Sequence, residues 1–153
     1  MENWGATVDA SLVGMFYLMG KTVLAEMTAW KDEEGPLALV MEGRPMLLER
    51  EEIVDNVYDV LKEQRAMVGG IGTNTYWIDI PGLLASVGLS PQELSDPDGR
   101  FHLLVALEQQ LKPLYTLHTS HSRQILHTDA RLSAITHFLD TQFVEVPRSR
   151  FSL

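Results

Sequence analysis

Leu37-Ala38-Leu39-Val40-Met41-Glu42-Gly43-Arg44-Pro45-Met46-Leu47-Leu48 is the stretch on which the fold class turns. Two short apolar runs flank a polar Glu-Gly-Arg-Pro segment, the pattern of two strands around a tight connection. Pro45 has no backbone N–H to give to a ladder, so its strand should lie at a sheet edge or begin there. Ahead of the pair, Lys31-Asp32-Glu33-Glu34-Gly35-Pro36 is a polar turn.

Helices are expected on both sides of this pair. Leu12, Phe16, Met19, Val23, Met27 and Trp30 recur at spacings of three and four and predict a helix. Thr7 or Asp9 would cap it and Gly14 and Gly20 weaken it; a strand over residues 22–30 is the alternative to the helix. Beyond the pair, 51–67 predicts a helix with Ile53, Val57, Val60 and Leu61 on one side and Gly69-Gly70 as its stop. Residues 71–75 read as a loop and Tyr76-Trp77-Ile78-Asp79-Ile80 as a strand. Pro81 opens a short helix ending at Gly88, and Ser90-Pro91-Gln92-Glu93 has the form of a capping box. Asp96-Pro97-Asp98-Gly99 reads as a turn before a helix over 101–111. Pro113 then interrupts, a further helix is expected over about 120–140, and residues 142–146 form a last strand. The fold class is α+β: a single domain over 1–146, with a small, mostly antiparallel sheet and about five helices packed against it. Residues 147–153 form a basic tail expected to fray.

Composition limits the function. The chain has 153 residues and no cysteine, which excludes disulfides, thiolate metal sites and cysteine nucleophiles. Glu2 and Asp9 stand where a secretory leader carries Lys or Arg. The uncharged run 10–20 falls short of the roughly 20 residues of a membrane span. The expectation is therefore a soluble cytoplasmic protein with no membrane contact. The net charge is −9, divided into −11 over residues 1–99 and +2 over residues 100–153. Such acidity repels a phosphate backbone, so nucleic acid is an unfavoured partner. All five histidines, His102, His118, His121, His127 and His137, fall in the second part.

Several motifs fail on chemistry. Between Gly14 and Gly20 lie five bulky residues where a phosphate loop needs four and a curl of backbone amides. Gly70-Ile71-Gly72 follows a helix and precedes a strand, the reverse of a dinucleotide fingerprint. Residues 83–94 have the outline of a helix-turn-helix. The second helix would offer Glu93, Asp96 and Asp98 to DNA, and two packed helices explain the pattern better. Ser120 and Ser122 lie beside histidines without a nucleophile elbow.

Two constellations remain. His118, His121, His127 and Asp129 are ligand-type residues, although their spacing matches no strict metal motif. Asp55, Asp59 and Glu63 recur every four residues, with Glu52 beside Asp55, and form an acidic stripe at a small repulsive cost. The reading drawn is a non-enzymatic acidic interaction protein: an adaptor, inhibitor, immunity protein or dedicated chaperone. It would dock on a basic or apolar protein surface through Glu52, Asp55, Asp59 and Glu63. No cofactor and no catalytic residue are expected. The alternatives are a metal-dependent enzyme using the histidine cluster and a helix-turn-helix regulator. No motif is specific enough to name a family.

Overall fold

The computed structural model describes residues 7–31, 35–111, 114–120, 123–129 and 131–150, with 114–120 and 123–129 described by backbone alone. Asp9 opens the first helix. Its carboxylate accepts from the backbone N–H groups of Ser11 and Leu12, two of the donors a helix start leaves unpaired. The helix, α1 (Ala10–Met19), stops at Gly20, which takes a left-handed φ of +60°. That stop corrects the helix expected to run on to Trp30. Residues Val23–Thr28 form strand β1 instead, and its residues are almost wholly buried. No residue of α1 is buried, and Tyr17 and Leu18 are 85% and 84% exposed.

Strands β2 (Leu37–Met41) and β3 (Arg44–Leu48) make the expected hairpin, with Leu37 opposite Leu48 and Met41 opposite Arg44. Its turn places Glu42 and Gly43 at φ +51° and +77°, an arrangement that favours glycine. The long helix expected over 51–67 is three pieces: turns at Arg50–Glu52 and Arg65–Met67 around α2 (Asp55–Glu63). Ile53 is buried, and Val54 is extended as the residue before α2, so the chain leaves the helical path to seat Ile53.

The segment read as a loop is part of a nine-residue strand, β4 (Gly70–Ile78). Its glycines serve close approach. A Cβ on Gly70 would lie 2.5 Å from the carbonyl oxygen of Thr28, and one on Gly72 would press on Pro36 and Leu47 at 3.1–3.2 Å. Helix α3 (Ile80–Ser86) follows, capped by Asp79, whose carboxylate accepts from Gly82 N–H. Gly88 at φ +74° ends it, and the Ser90–Glu93 capping box is present. The turn expected at 96–99 is the start of α4 (Pro97–Leu111), with Asp96 accepting from Asp98 N–H.

The helix expected over 120–140 is replaced by a hairpin, β5 (Leu114–Ser120) and β6 (Arg123–Asp129), and by a helical corner. Tyr115, Thr116, Thr119, Ile125 and Thr128 are strand formers, and they prevail over the helical spacing. The corner is a turn at Leu132–Ala134 leading into α5 (Ile135–Phe138). The last strand, β7 (Thr141–Glu145), is present as expected. The main sheet runs β3-β2-β4-β1-β7; every pair is antiparallel except β1 with β7. Pro45 thus lies on an edge strand, and the architecture is the expected α+β one. No described helix is long and apolar enough to cross a membrane.

Both faces of this sheet carry a core. On one face Trp30, Leu37, Ile53, Leu61 and Ile71 close under α2. On the other, Val23, Ile135 and Leu139 pack with Tyr76, Ile78 and Phe138, and Ala25, Ala38 and Leu47 continue the layer. The β3 edge is sealed by the corner. Leu47 N–H donates to Thr136 Oγ1 at 2.9 Å, and its carbonyl accepts from His137 Nε2 at 2.7 Å. A carbonyl partner requires that ring nitrogen to carry hydrogen. These two side chains occupy groups that an open edge would offer to another strand.

Candidate functional site

The pairing of β1 with β4 is regular at both ends and broken in the middle. Ala25 faces Tyr76 and Met27 faces Gly72, so Thr73, Asn74 and Thr75 bulge against the single residue Glu26. Asn74 is exposed and takes φ +59°. Asparagine tolerates this region better than other side chains, but still at a cost. A bulge that bends a strand and re-aims one polar side chain is a recurrent feature next to binding sites.

Glu26 sits beneath the bulge. It lies on the sheet face that carries Leu24 and Thr28, by strand alternation. A carboxylate is costly to bury unless its oxygens are filled. Here they are: the Glu26 side chain is fully buried, and it accepts from Trp77 Nε1 at 3.0 Å and from Arg150 Nη2 at 2.9 Å and Nε at 3.1 Å. The two-point guanidinium contact is the strong form of such a pair. The Glu26 backbone carbonyl accepts from Thr73 Oγ1 at 3.2 Å, and Thr73 is itself buried. Glu26 therefore holds three points around the bulge: the residue that opens it, the tryptophan just after it, and the C-terminal arginine.

Arg150 reaches in from the basic tail. Arg148–Arg150 forms a turn, and the Arg148 guanidinium donates to the Ala29 carbonyl. Arg150 also donates to Thr7 Oγ1 at 3.0 Å and to the Thr7 carbonyl at 2.8 Å. Its hydrogen bonds to Glu26 hold the guanidinium pKa above its ordinary value, with the charges of Glu26 and Asp9 adding to this.

Both oxygens of Glu26 are engaged, so it is a positioning group and not a free base. An asparagine amide has donors and an acceptor of the kind that hydroxyl-rich ligands bind. Sequence reasoning missed Glu26 and Arg150, whereas Asn74 falls in the Gly-rich segment 69–75 that it considers a candidate border of a site. The available signals were a lone acid inside the apolar run Val23–Met27 and an arginine in a segment read as tail.

The residues singled out by sequence lie elsewhere. Glu52 closes a capping box with Glu49, and Asp55 pairs with Arg50, which also lies over the Tyr58 ring. Asp59 and Glu63 are exposed on α2. His118 lies on β5 opposite Ile125, His127 on β6 opposite Thr116, and Asp129 opposite Leu114. His121 is outside the described residues. Among the described residues no group of three potential ligands gathers around a metal-sized space. The helix-turn-helix is corrected: α3 is followed by a five-residue turn, Pro91–Ser95, too short to serve as a recognition helix. Beside that turn lies an open cavity of about 500 Å³ lined by Glu93, Asp96, Asp98 and His102. Its carboxylates would repel a phosphate.

No protein-family model matches the chain, and no curated protein matches it by sequence. Solved structures match its fold. UDP-glucose phosphorylase from Trypanosoma brucei is 21% identical with a TM-score of 0.63, over 97% of this chain and 31% of that one. A point mutant of UDP-glucose pyrophosphorylase from Leishmania major is 19% identical with a TM-score of 0.65, over 98% and 32%. Another mutant of that enzyme, in complex with UDP-glucose, is 18% identical with a TM-score of 0.63, over 97% and 32%. The chain thus spans about a third of the length of the structures it matches, and the likeness is one of fold. These findings correct the expectation of a non-enzymatic interaction protein, because the solved structures that share this arrangement are enzymes. Many of the acids have local work within the fold, as caps at Asp9, Asp79 and Glu93 and as ion pairs at Glu26, Glu51 and Asp140.

Proposed function

We propose that this chain forms one wall of a sugar-nucleotide site in an enzyme of the UDP-glucose pyrophosphorylase kind. The contact to the ligand is the β4 bulge, centred on Asn74. The observation that carries the reading is the fold likeness, which extends over 97–98% of the chain. It is an argument by analogy of fold. The bulge supplies an independent local reason. It places a strained polar residue at the surface over a pre-organised buried network, with an amide suited to sugar hydroxyls.

A single wall binds weakly. UDP-glucose should bind this chain with a dissociation constant of about 1 mM, near −4 kcal/mol. Titration followed by backbone amide NMR should move signals of residues 73–77 in a saturable manner. Asn74→Ala should weaken binding roughly tenfold, the worth of one or two hydrogen bonds. The reading fails if 10 mM UDP-glucose leaves those signals in place, or if the variant binds as well as the parent.

A further inference from the structure

We propose that the outer face of α1 is where two copies of this chain meet, helix against helix and antiparallel. α1 contains no charged residue, and its apolar positions fall on two faces. Leu12, Met15 and Phe16 share one face and are half-buried. Ala10, Val13, Gly14, Tyr17 and Leu18 share the other, at the i, i+3, i+4, i+7, i+8 spacing of a face that packs, yet each of them is exposed. A ten-residue helix is marginal in water by itself, and one that is apolar on every side is stabilised by cover on both faces.

The occupant is a second copy because this face is complementary to itself. Gly14 is a notch: a Cβ built there would meet no heavy atom within 4 Å. Tyr17, next on the same face, is a knob that stands clear of its own chain. In an antiparallel pair that sets Gly14 opposite Tyr17 of the second copy, Val13 falls opposite Leu18 and Ala10 opposite Lys21. The two-fold axis then repeats every contact, as an isologous interface requires. The same register brings the Asp9 end of one helix beside the Lys21 end of the other and opposes the two helix dipoles. Asp9 and Lys21 stay part-exposed beside Arg150 and Asp140 of their own chain. Two copies that each carry a net charge of −9 repel one another, and α1 brings no charge to the centre of the contact. Ten helical residues span about 15 Å. The helix pair therefore covers less than the roughly 1,200 Å² of a standard stable interface, and the association is weak and concentration-dependent.

Sedimentation equilibrium of this chain between about 5 μM and 1 mM should show the average mass rising from one chain toward two. Tyr17→Glu should hold the protein at one chain across that range with an unchanged circular dichroism spectrum, because the side chain is exposed. Gly14→Leu separates a specific fit from general stickiness. It adds apolar surface and a better helix former but fills the notch, so it should weaken association about tenfold or more. The chain has no cysteine, so an equal mixture of Val13→Cys and Leu18→Cys reads the register directly. Under one oxidant, cross-links in the mixture should form faster than in either variant alone. A parent that remains a single chain at about 1 mM would overturn the proposal, whether the face is covered from within its own chain or left open. Association that strengthens in Gly14→Leu would reduce the face to a non-specific apolar patch and overturn it as well. Faster cross-linking of Val13→Cys alone than of the mixture would refute the antiparallel register. No arm of this test uses UDP-glucose, so its outcome is independent of the function proposed above.

Discussion

Replacing Tyr76 with phenylalanine should make the protein more stable. Tyr76 lies in the second core layer, against Val23, Ile135 and Leu139 on one side and Ala25, Leu47 and Phe143 on the other. Its hydroxyl oxygen is sealed from solvent and has no hydrogen-bond partner among the described residues. A hydroxyl taken from water without compensation costs about 1–3 kcal/mol on protein mutational scales. Phenylalanine keeps the ring and its packing while removing that cost, so a gain of about 1–2 kcal/mol is expected. Urea unfolding of the parent and the variant should show it as a midpoint raised by about 0.5–1 M at unchanged slope. Alkaline pH adds a second arm. Burial raises the Tyr76 pKa, and the charge of Glu49 raises it further. Below the unfolded tyrosine pKa of about 10, both states keep the proton and stability is unaffected. Above it the unfolded chain loses the proton first, so stability falls by up to about 1.4 kcal/mol per pH unit. The variant should lack that portion of the alkaline loss. A variant less stable than the parent, with the same alkaline slope, would show that the hydroxyl is satisfied and would refute the reasoning.

Thr136→Val should cost about 1–3 kcal/mol by leaving Leu47 N–H buried without an acceptor, and hydrogen exchange at that amide should accelerate. Little change in either would mean that the β3 edge finds another cover. Gly70→Ala should lower the melting temperature by about 4 °C or more, because a Cβ there would stand 2.5 Å from the Thr28 carbonyl oxygen. Acid should also destabilise the fold. Backbone N–H groups of Ser11 and Leu12 hold Asp9 below its ordinary pKa, Arg131 does so for Glu51, and Ser90 for Glu93. Their stabilisation is present above the unfolded carboxylate values and is lost as pH falls below about 4. The slope should be shallow because the groups are exposed, and Asp9→Asn should flatten it further in denaturant titrations at stepped pH.

How much was legible in the sequence depends on how local the deciding forces are. The 37–48 hairpin, the Pro81 helix start, the Ser90–Glu93 capping box and the final strand are set by residues a few positions apart, and all were readable. The helix expected through Trp30 failed because a spacing of three and four fits an apolar strand nearly as well, and Gly20 was the stronger signal. Residues 70–75 failed for a different reason. Glycine there answers to the Thr28 backbone and the Leu47 side chain, neighbours in space and not in sequence. Glu26 and Arg150 are separated by 124 residues. No local pattern can announce such a pair, and a lone acid in an apolar run and an arginine in a segment read as tail were its only traces.

The bond between Thr7 and Arg150 has a consequence for the order in which the chain is threaded. At 2.8 Å it brings the first and last described segments of the protein to one point on the surface. A short flexible linker would therefore join them at little entropic cost, since closure penalties grow only slowly with length. New ends could be opened in the exposed Glu42-Gly43 turn, where both residues lie outside the β2 and β3 ladders. A circular permutant made in this way should fold with the same sheet, and Arg150 should still be seated on Glu26, now in mid-chain. The arrangement would then depend on which surfaces meet and not on the order in which these segments are joined, as circular dichroism and the Trp77 indole signal of the permutant would reveal.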